Sequence, residues 1–345
     1  MPFTPDLNYL RRLPKAELHL HIEGTLEPDL IFALARRNQV ALPYSSEEAL
    51  RAAYAFADLQ SFLDLYYAGT AVLQTQADFH DMTRAYLEHA RADNIRHVEI
   101  FFDPQSHTAR GVSIETVFAG IASALREVRP TISARMILCF LRHLPEADAI
   151  STLESALPLR AAYADLWVGV GLDSSEQGHP PENFERVFQR ARAQGLACVA
   201  HAGEEGPASY ITNALDRLKV CRIDHGVRCE EDPQLVERLV REQIPLTVCP
   251  LSNVRLGVFP ELASHNLGRL LRAGAKITIN SDDPAYFGGY LLENYAQTAT
   301  ALGLDSGEMS DIARNGFTSS FLSPEEKAHW LAEIDRVEGS ATAAV

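Results

Sequence analysis

Eight short apolar runs, alternating over most of the chain with amphipathic helical stretches, leave few folds open to it. They are "AELHLHI" (16–22), "RHVEIFF" (96–102), "ARMILCFL" (134–141), "WVGVGLD" (167–173), "ACVAHA" (197–202), "RIDHGV" (222–227), "PLTVCP" (245–250) and "KITINS" (276–281). Strands apolar on both faces belong in a parallel sheet covered by helices. The segments between them read as those helices. In "PENFERVFQRARAQG", Phe184, Val187, Phe188 and Ala191 share one face, Pro181 opens the helix and Gly195 suits its C-terminal cap. In "DPQLVERLVREQ", Leu235, Val236, Leu239 and Val240 do the same. Eight strand–helix units predict an α/β fold, a (β/α)8 barrel with its chemistry at the C-terminal ends of the strands. A doubly wound open sheet would carry a Gly-rich phosphate turn after its first strand. "HIEGTLEP" is not one, and no P-loop occurs.

Over seventy residues separate the first two strands, with helix patterns "PDLIFALARRN", "SEEALRAAYAF", "LQSFLDLYYAGTAVL" and "QADFHDMTRAYLEHARADN". The expectation is one domain over 1–345, with a helical insertion at about 24–95 on the catalytic rim and further helices at about 288–338. Such an insertion is placed to form a lid over the barrel mouth. The closing "EGSATAAV" reads as a frayed tail.

Strand ends then supply the chemistry. The first carries His19 and His21, two apart and so on one face of the strand. The fifth ends in "VAHAGEEG", with His201 and Glu204, and the sixth in "RIDHGV", with His225. The eighth ends in "TINSDDP", with Asp282 and Asp283. One His-x-His alone reads as surface histidines, and one acidic pair before proline as a turn. Four such stretches at the ends of strands in one barrel converge. Three neutral imidazoles and a carboxylate suit Zn2+ best, with Fe2+ and Mn2+ as further occupants. A metal there lowers the pKa of bound water to about 7, so hydroxide is available at neutral pH. By position, Glu204 can donate a proton, His225 can orient or deprotonate that water, and Asp283 can bond a polar ring atom. Glu205 reads as structural or solvated. His97 and Glu99 read as barrel lining or as an interior pair, and His179 as substrate-facing or helix-capping. His107, His143 and His265 read as surface or structural.

The remaining totals exclude partners. With 31 basic against 46 acidic side chains, a net of −15, neither a nucleic-acid backbone nor an anionic membrane is the expected partner. Five cysteines form no C-x-x-C pair and read as reduced thiols. The opening "MPFTPDLNYL" has no signal-peptide core and no run approaches membrane-spanning length, so the expected place is the cytoplasm. Nothing in the sequence reads out an oligomeric state.

The stretches "AELHLHIEGTLEP", "HAGEEG", "RIDHGV", "CPLSN" and "INSDDP", in order from about Pro14 to Pro324, resemble the adenosine/adenine deaminase family of metal-dependent amidohydrolases. The resemblance implies that His19, His21, His201 and Asp282 are zinc ligands and that Glu204 is the proton donor. It makes His225 the catalytic histidine and Asp283 a contact of the purine ring. It also implies hydrolysis of the amine at purine C6, a step of purine salvage. The other zinc deaminase design, H-x-E with P-C-x-x-C, is absent.

Within the family the sequence is most similar to members that deaminate free adenine, through "AYAFADLQSFLDLYY", "HVEIFFDPQ", "GLDSSEQGHPPE" and "NSDDPAYFGGY". Nucleoside deaminases typically read H-x-H-x-D-G, where this chain has Glu23, and D-x-A-G-x-E, where it has "LDSSE" with Ser175 for the glycine. Both departures bear on ribose recognition, which makes Glu23 and Ser175 candidate substrate-binding residues. The expected substrate is a small purine, adenine. The alternatives are adenosine or an N6-substituted adenine on the same scaffold, and a non-catalytic, zinc-stabilised binding protein.

Overall fold

A computed structural model describes residues 3–129 and 131–342. Eight parallel strands pair in sequence order: β1 (Lys15–His21), β2 (Ile95–Phe102), β3 (Ser133–Leu141), β4 (Trp167–Asp173), β5 (Ala197–Ala202), β6 (Arg222–His225), β7 (Pro245–Val248) and β8 (Lys276–Ile279). Closure between β8 and β1 comes through Asp282. Its N–H donates to His19 O at 3.2 Å, and its carbonyl accepts from His21 N at 3.0 Å. The seam of the (β/α)8 barrel thus runs through residues read from the sequence as metal ligands.

Each strand was expected within a residue or two of where it lies, and the two-residue differences sit at three C-terminal ends. β6 stops at His225 because His225 and Gly226 both take left-handed backbone, φ 61° and 74°. β7 stops at Val248, as Pro250 opens a helix. β8 stops at Ile279, three residues before Asp282 turns left-handed at φ 66°. Left-handed backbone is strained for residues other than glycine and is concentrated at functional sites.

The long stretch between β1 and β2 holds helices Pro28–Asn38, Glu47–Ala52, Leu59–Gly69 and Gln76–Ala92. Leu59–Gly69 starts from a capping box at Asp58 and buries Leu59, Phe62, Leu63 and Tyr66. These apolar residues face the barrel mouth, so the helix roofs it. After β8 come Leu291–Leu302, Ser306–Ser319 and Pro324–Thr342. The tail expected to fray from residue 338 is therefore helical as far as Thr342, and residues 343–345 lie outside the described ones.

At the other end of the barrel, His97, Glu99 and Arg222 form a closed interior network. His97 Nε2 lies 3.0 Å from Glu99 Oε1, and Arg222 Nη1 donates to Glu99 Oε2 at 2.6 Å. Burial opposes the charge on Glu99, but Arg222 and His97 outweigh it and hold the carboxyl down at about 2. Of the two readings of this pair, the structure shows the interior one. The five cysteines are free thiols, with Cys221 exposed. No described helix is long and apolar enough to cross a membrane.

Candidate active site

Alternation on β1 sends His19 and His21 to the barrel interior, where both meet His201 from β5 and Asp282 from beyond β8. His21 Nε2 and His201 Nε2 lie 3.1 Å apart. Asp282 Oδ1 is 3.3 Å from His19 Nε2 and 3.5 Å from His21 Nε2. Four ligand atoms at roughly 2.0–2.1 Å around one tetrahedral ion would stand about 3.3–3.4 Å from one another. The observed spacings bracket that value, so the donor set fits a single tetrahedral metal.

The outward nitrogens support this orientation. His19 Nδ1 lies 3.1 Å from Thr247 Oγ1, which donates to Asp224 Oδ1 at 2.8 Å. His21 Nδ1 is 3.6 Å from Asp173 Oδ2, and His201 Nδ1 is 3.7 Å from Asp224 Oδ2. All three rings therefore keep Nε2 for the centre, as metal-ligating histidines do when their other nitrogen faces a carboxylate, hydroxyl or carbonyl. His19 Nε2 is buried without a hydrogen-bond partner. Burial, then the neighbouring histidines, holds His201 far below the ordinary histidine range, and burial likewise holds His21 at about 3. Burial opposes the charge on Asp282, but His19 and the other histidines outweigh it and keep the carboxylate ionised. At His19 burial is outweighed by Asp282, which raises it, whereas the neutral rings of His21 and His201 and the ionised carboxylate are the states that a metal requires.

Beside this cluster stand two carboxyls of the opposite habit. Burial first, then Asp282, Glu176 and Glu205, raises Glu204 well above the usual carboxylate range. Burial and Asp282 do the same to Asp283. Glu204 Oε1 and Asp283 Oδ1 are both buried without partners, and both residues line the cavity. Two carboxyls with raised proton affinity thus line the space where a ligand would lie. Gly24 makes room for one of them, since a Cβ there would fall 1.9 Å from Asp283 Oδ1.

His225 Nε2 is 3.5 Å from Glu204 Oε2 and 3.7 Å from Asp282 Oδ2. Its Nδ1 meets Asn253 Nδ2 at 3.3 Å, and Asn253 Oδ1 meets His265 Nε2 at 3.2 Å. Asn253 belongs to the "CPLSN" stretch, and His265 is a buried partner rather than a surface residue.

The loop carrying Glu204 is held by a residue that sequence reasoning did not single out. Glu176, buried beyond β4, accepts the backbone N–H groups of Gly203, Glu204, Glu205 and Gly206 at 2.6, 3.0, 2.9 and 2.8 Å. One carboxylate thus fixes four consecutive amides, and Gly203 turns there at φ 71°. Glu205 remains half-buried at the rim. Glu176→Ala would leave those amides without an acceptor. It is expected to cost on the order of 3 kcal/mol or more of unfolding free energy, read from urea denaturation. A loss below about 1 kcal/mol, the worth of one ordinary hydrogen bond, would show that the loop holds itself.

Two predicted substrate contacts lie elsewhere. Glu23 is fully buried, and its Oε1 accepts from His107 Nε2 at 2.8 Å and from Asp103 N at 3.2 Å. It does not line the cavity, because the short helical turn Glu23–Thr25 carries it behind the wall onto His107. Ser174, not Ser175, is the serine that lines it. Ser174 takes φ 75°, and its hydroxyl meets His143 Nδ1 at 2.7 Å and Tyr67 Oη at 3.0 Å. The Ser175 carbonyl instead faces His179 Nδ1 at 3.0 Å, so His179 folds back on its own loop.

Asp103 and Asp173, which do line the cavity, had no role assigned from sequence. Both sit at the C-terminal ends of strands, which was the available signal. Asp173 is raised well above the usual range by burial and then by Asp103.

The cavity is completed by Leu59, Phe62, Leu63, Tyr66 and Tyr67 of the roof helix, with Leu256 and Phe287. Its volume is about 30 Å3, far below the roughly 300–1,000 Å3 usual for ligand sites, so the apolar roof lies closed down on the polar floor.

Residues 14–337 match the sequence model of the adenosine deaminase family. An adenine deaminase of Cupriavidus necator is 64% identical over 328 residues, 94% of this chain and 92% of that protein. The crystal structure of an adenine deaminase from Arthrobacter aurescens is 55% identical, with TM-score 0.91 over 94% of this chain and 98% of its own. An amidohydrolase from Burkhoderia ambifaria, crystallised with bound zinc, is 27% identical with TM-score 0.89, covering 98% of this chain and 94% of its own.

Proposed function

The chain belongs to the adenosine deaminase family, and from that premise we propose that it hydrolyses adenine to hypoxanthine and ammonia with Zn2+ as cofactor. The observation that carries the reaction type is Glu204, a buried, proton-retaining carboxyl beside four converging donor atoms. The choice of adenine is supported by relatives bearing that name at 64% and 55% identity. Zinc is supported by the donor set and by the bound zinc of the Burkhoderia ambifaria relative.

His19, His21, His201 and Asp282 would hold the ion. A zinc ion there would supply, at neutral pH, an attacking water already close to losing its proton. Glu204 gives its proton to the ring nitrogen next to C6, N1, which makes C6 open to attack. Asp283, neutral for the same physical reason, donates to N7 on the other flank of C6. With the Asn253 amide donating to Nδ1, the neutral His225 ring carries its proton on Nε2 and orients the attacking water by donating to it. The new C6–O bond forms, one proton of the water passes to N6 and the other restores Glu204, the C6–N6 bond breaks, and ammonia leaves. Glu23 acts from behind the wall by holding the Asp103 amide. Ser175 supports the strand-end loop through its carbonyl.

The pH dependence follows from Glu204. Its raised pKa keeps the proton to higher pH than an ordinary glutamate does, and activity is lost as pH rises through that pKa. A profile of kcat/KM should therefore fall as pH rises through a value well above the ordinary glutamate one. A fall beginning near the ordinary glutamate value of about 4.3 would remove Glu204 as the acid.

The test of the function is ammonia release from adenine by zinc-loaded protein, with chelated protein as control. Release that survives verified metal removal, or no release from adenine at all, would overturn it.

A further inference from the structure

We propose that Asp103 is the specificity-determining residue that accepts the N9–H of a free purine. The inference rests on the adenine reading above and names the atom by which a base is told from its N9-substituted forms.

The argument begins with barrel order. The converging donors and their flanking acids come from β1, β5, β6 and the segment after β8. The other side of the mouth belongs to β2–β4, whose ends place Asp103, Asp173 and Ser174 in the same cavity. A purine with C6 at the donor cluster, N1 at Glu204 and N7 at Asp283 turns its N3–N9 edge toward that far wall. Free adenine carries a hydrogen on N9. A nucleoside carries carbon there and has no hydrogen to donate.

Among the groups of the far wall, Ser174 Oγ is taken by His143 and Tyr67. Asp173 lies 3.6 Å from His21 Nδ1 and against Asp103 and Cys139, which ties it to the outer nitrogen of a converging histidine. Asp103 is 2% exposed and touches Asp173 and Tyr66, and its Oδ1 is left without a hydrogen bond. A carboxyl oxygen accepts an N–H whether or not the group's other oxygen is protonated.

The residue is also held in place. Arg110 Nη2 donates to His107 Nδ1 at 2.8 Å, so His107 carries its own hydrogen on Nε2. That hydrogen goes to Glu23 Oε1, which accepts the Asp103 N–H as well. The chain from exposed Arg110 through buried His107 and Glu23 thus ends on the backbone of Asp103. An acceptor fixed in a dry site discriminates strongly, because a ligand without the matching donor leaves it unpaired.

The experiment compares adenine with 9-methyladenine, using zinc-loaded wild type, Asp103→Ala and Asp103→Ser. Zinc content and thermal melting confirm that each variant is folded and loaded, and the serine variant keeps a polar group against Asp173 should alanine fail to fold. Wild type should favour adenine by at least a hundredfold in kcat/KM. In the variants, kcat/KM for adenine should fall at least tenfold, and the preference should shrink by at least that factor. Titration calorimetry gives a second readout: hypoxanthine should bind the variants at least tenfold more weakly, and 9-methylhypoxanthine should not. A gain for 9-methyladenine with no loss for adenine would mean only relief of crowding, and would overturn the proposal. So would an unchanged ratio. A wild type that prefers adenosine would overturn the adenine reading itself, a distinguishable failure.

Discussion

Glu204→Gln is expected to retain a full complement of zinc while turnover falls by roughly 10²–10⁴, the usual range for removing a positioned general acid. Glutamine keeps the length of the side chain and its hydrogen-bonding capacity, so the loop fastened by Glu176 has no reason to move. What it loses is a transferable proton. Glu204 is not among the four converging donors, and its Oε1 is directed to the cavity without a partner. His201→Ala is the contrast, since it removes one of those donors and should lose metal and turnover together. Metal analysis beside steady-state rates separates the two. Near-normal turnover in Glu204→Gln would move the acid elsewhere, with Glu205 the first suspect because it is next in the chain and also raised, by burial first and then by Glu176.

The barrel was legible because alternation and apolar runs are local signals that the fold obeys everywhere. The converging residues were legible for a related reason. His19, His21, His201, His225 and Asp282 all sit at strand ends, and barrel topology brings strand ends together whatever the intervening helices do. Residues whose placement depends on where a loop goes after leaving its strand were harder to read. Glu23 lies two residues past His21, yet one helical turn carries it behind the wall onto His107. Ser174 and Ser175 are neighbours, and the left-handed backbone at Ser174 decides which of them lines the cavity. Glu176 reads as one more loop acid until its four amide partners, some thirty residues later in the chain, are in view. His107 and His265 read equally as surface or structural because the partners that make them structural, Glu23 and Asn253, come from other segments.

Free adenine is expected to be deaminated several powers of ten faster than adenosine in kcat/KM. A ribose at N9 would bring three hydroxyls and a bulky ring into a tight cavity roofed by Leu59, Phe62, Leu63, Tyr66 and Tyr67. Glu23, which stands where nucleoside deaminases typically have a ribose-binding aspartate, has Oε1 committed to His107 and the Asp103 amide and is fully buried. Ser174 is likewise engaged. A ribose hydroxyl buried there without a partner costs on the order of 1–3 kcal/mol. Two or three such groups multiply to a factor of roughly 30 to 10⁶, since about 1.4 kcal/mol is tenfold, before any collision with the roof is counted. Free adenine avoids the whole cost and offers N9–H to the wall instead. The measurement is kcat/KM for both substrates on one zinc-loaded preparation at one pH. Equal values, or a preference for adenosine, would mean that the roof opens far enough to seat a sugar and that the sequestered Glu23 does not exclude one.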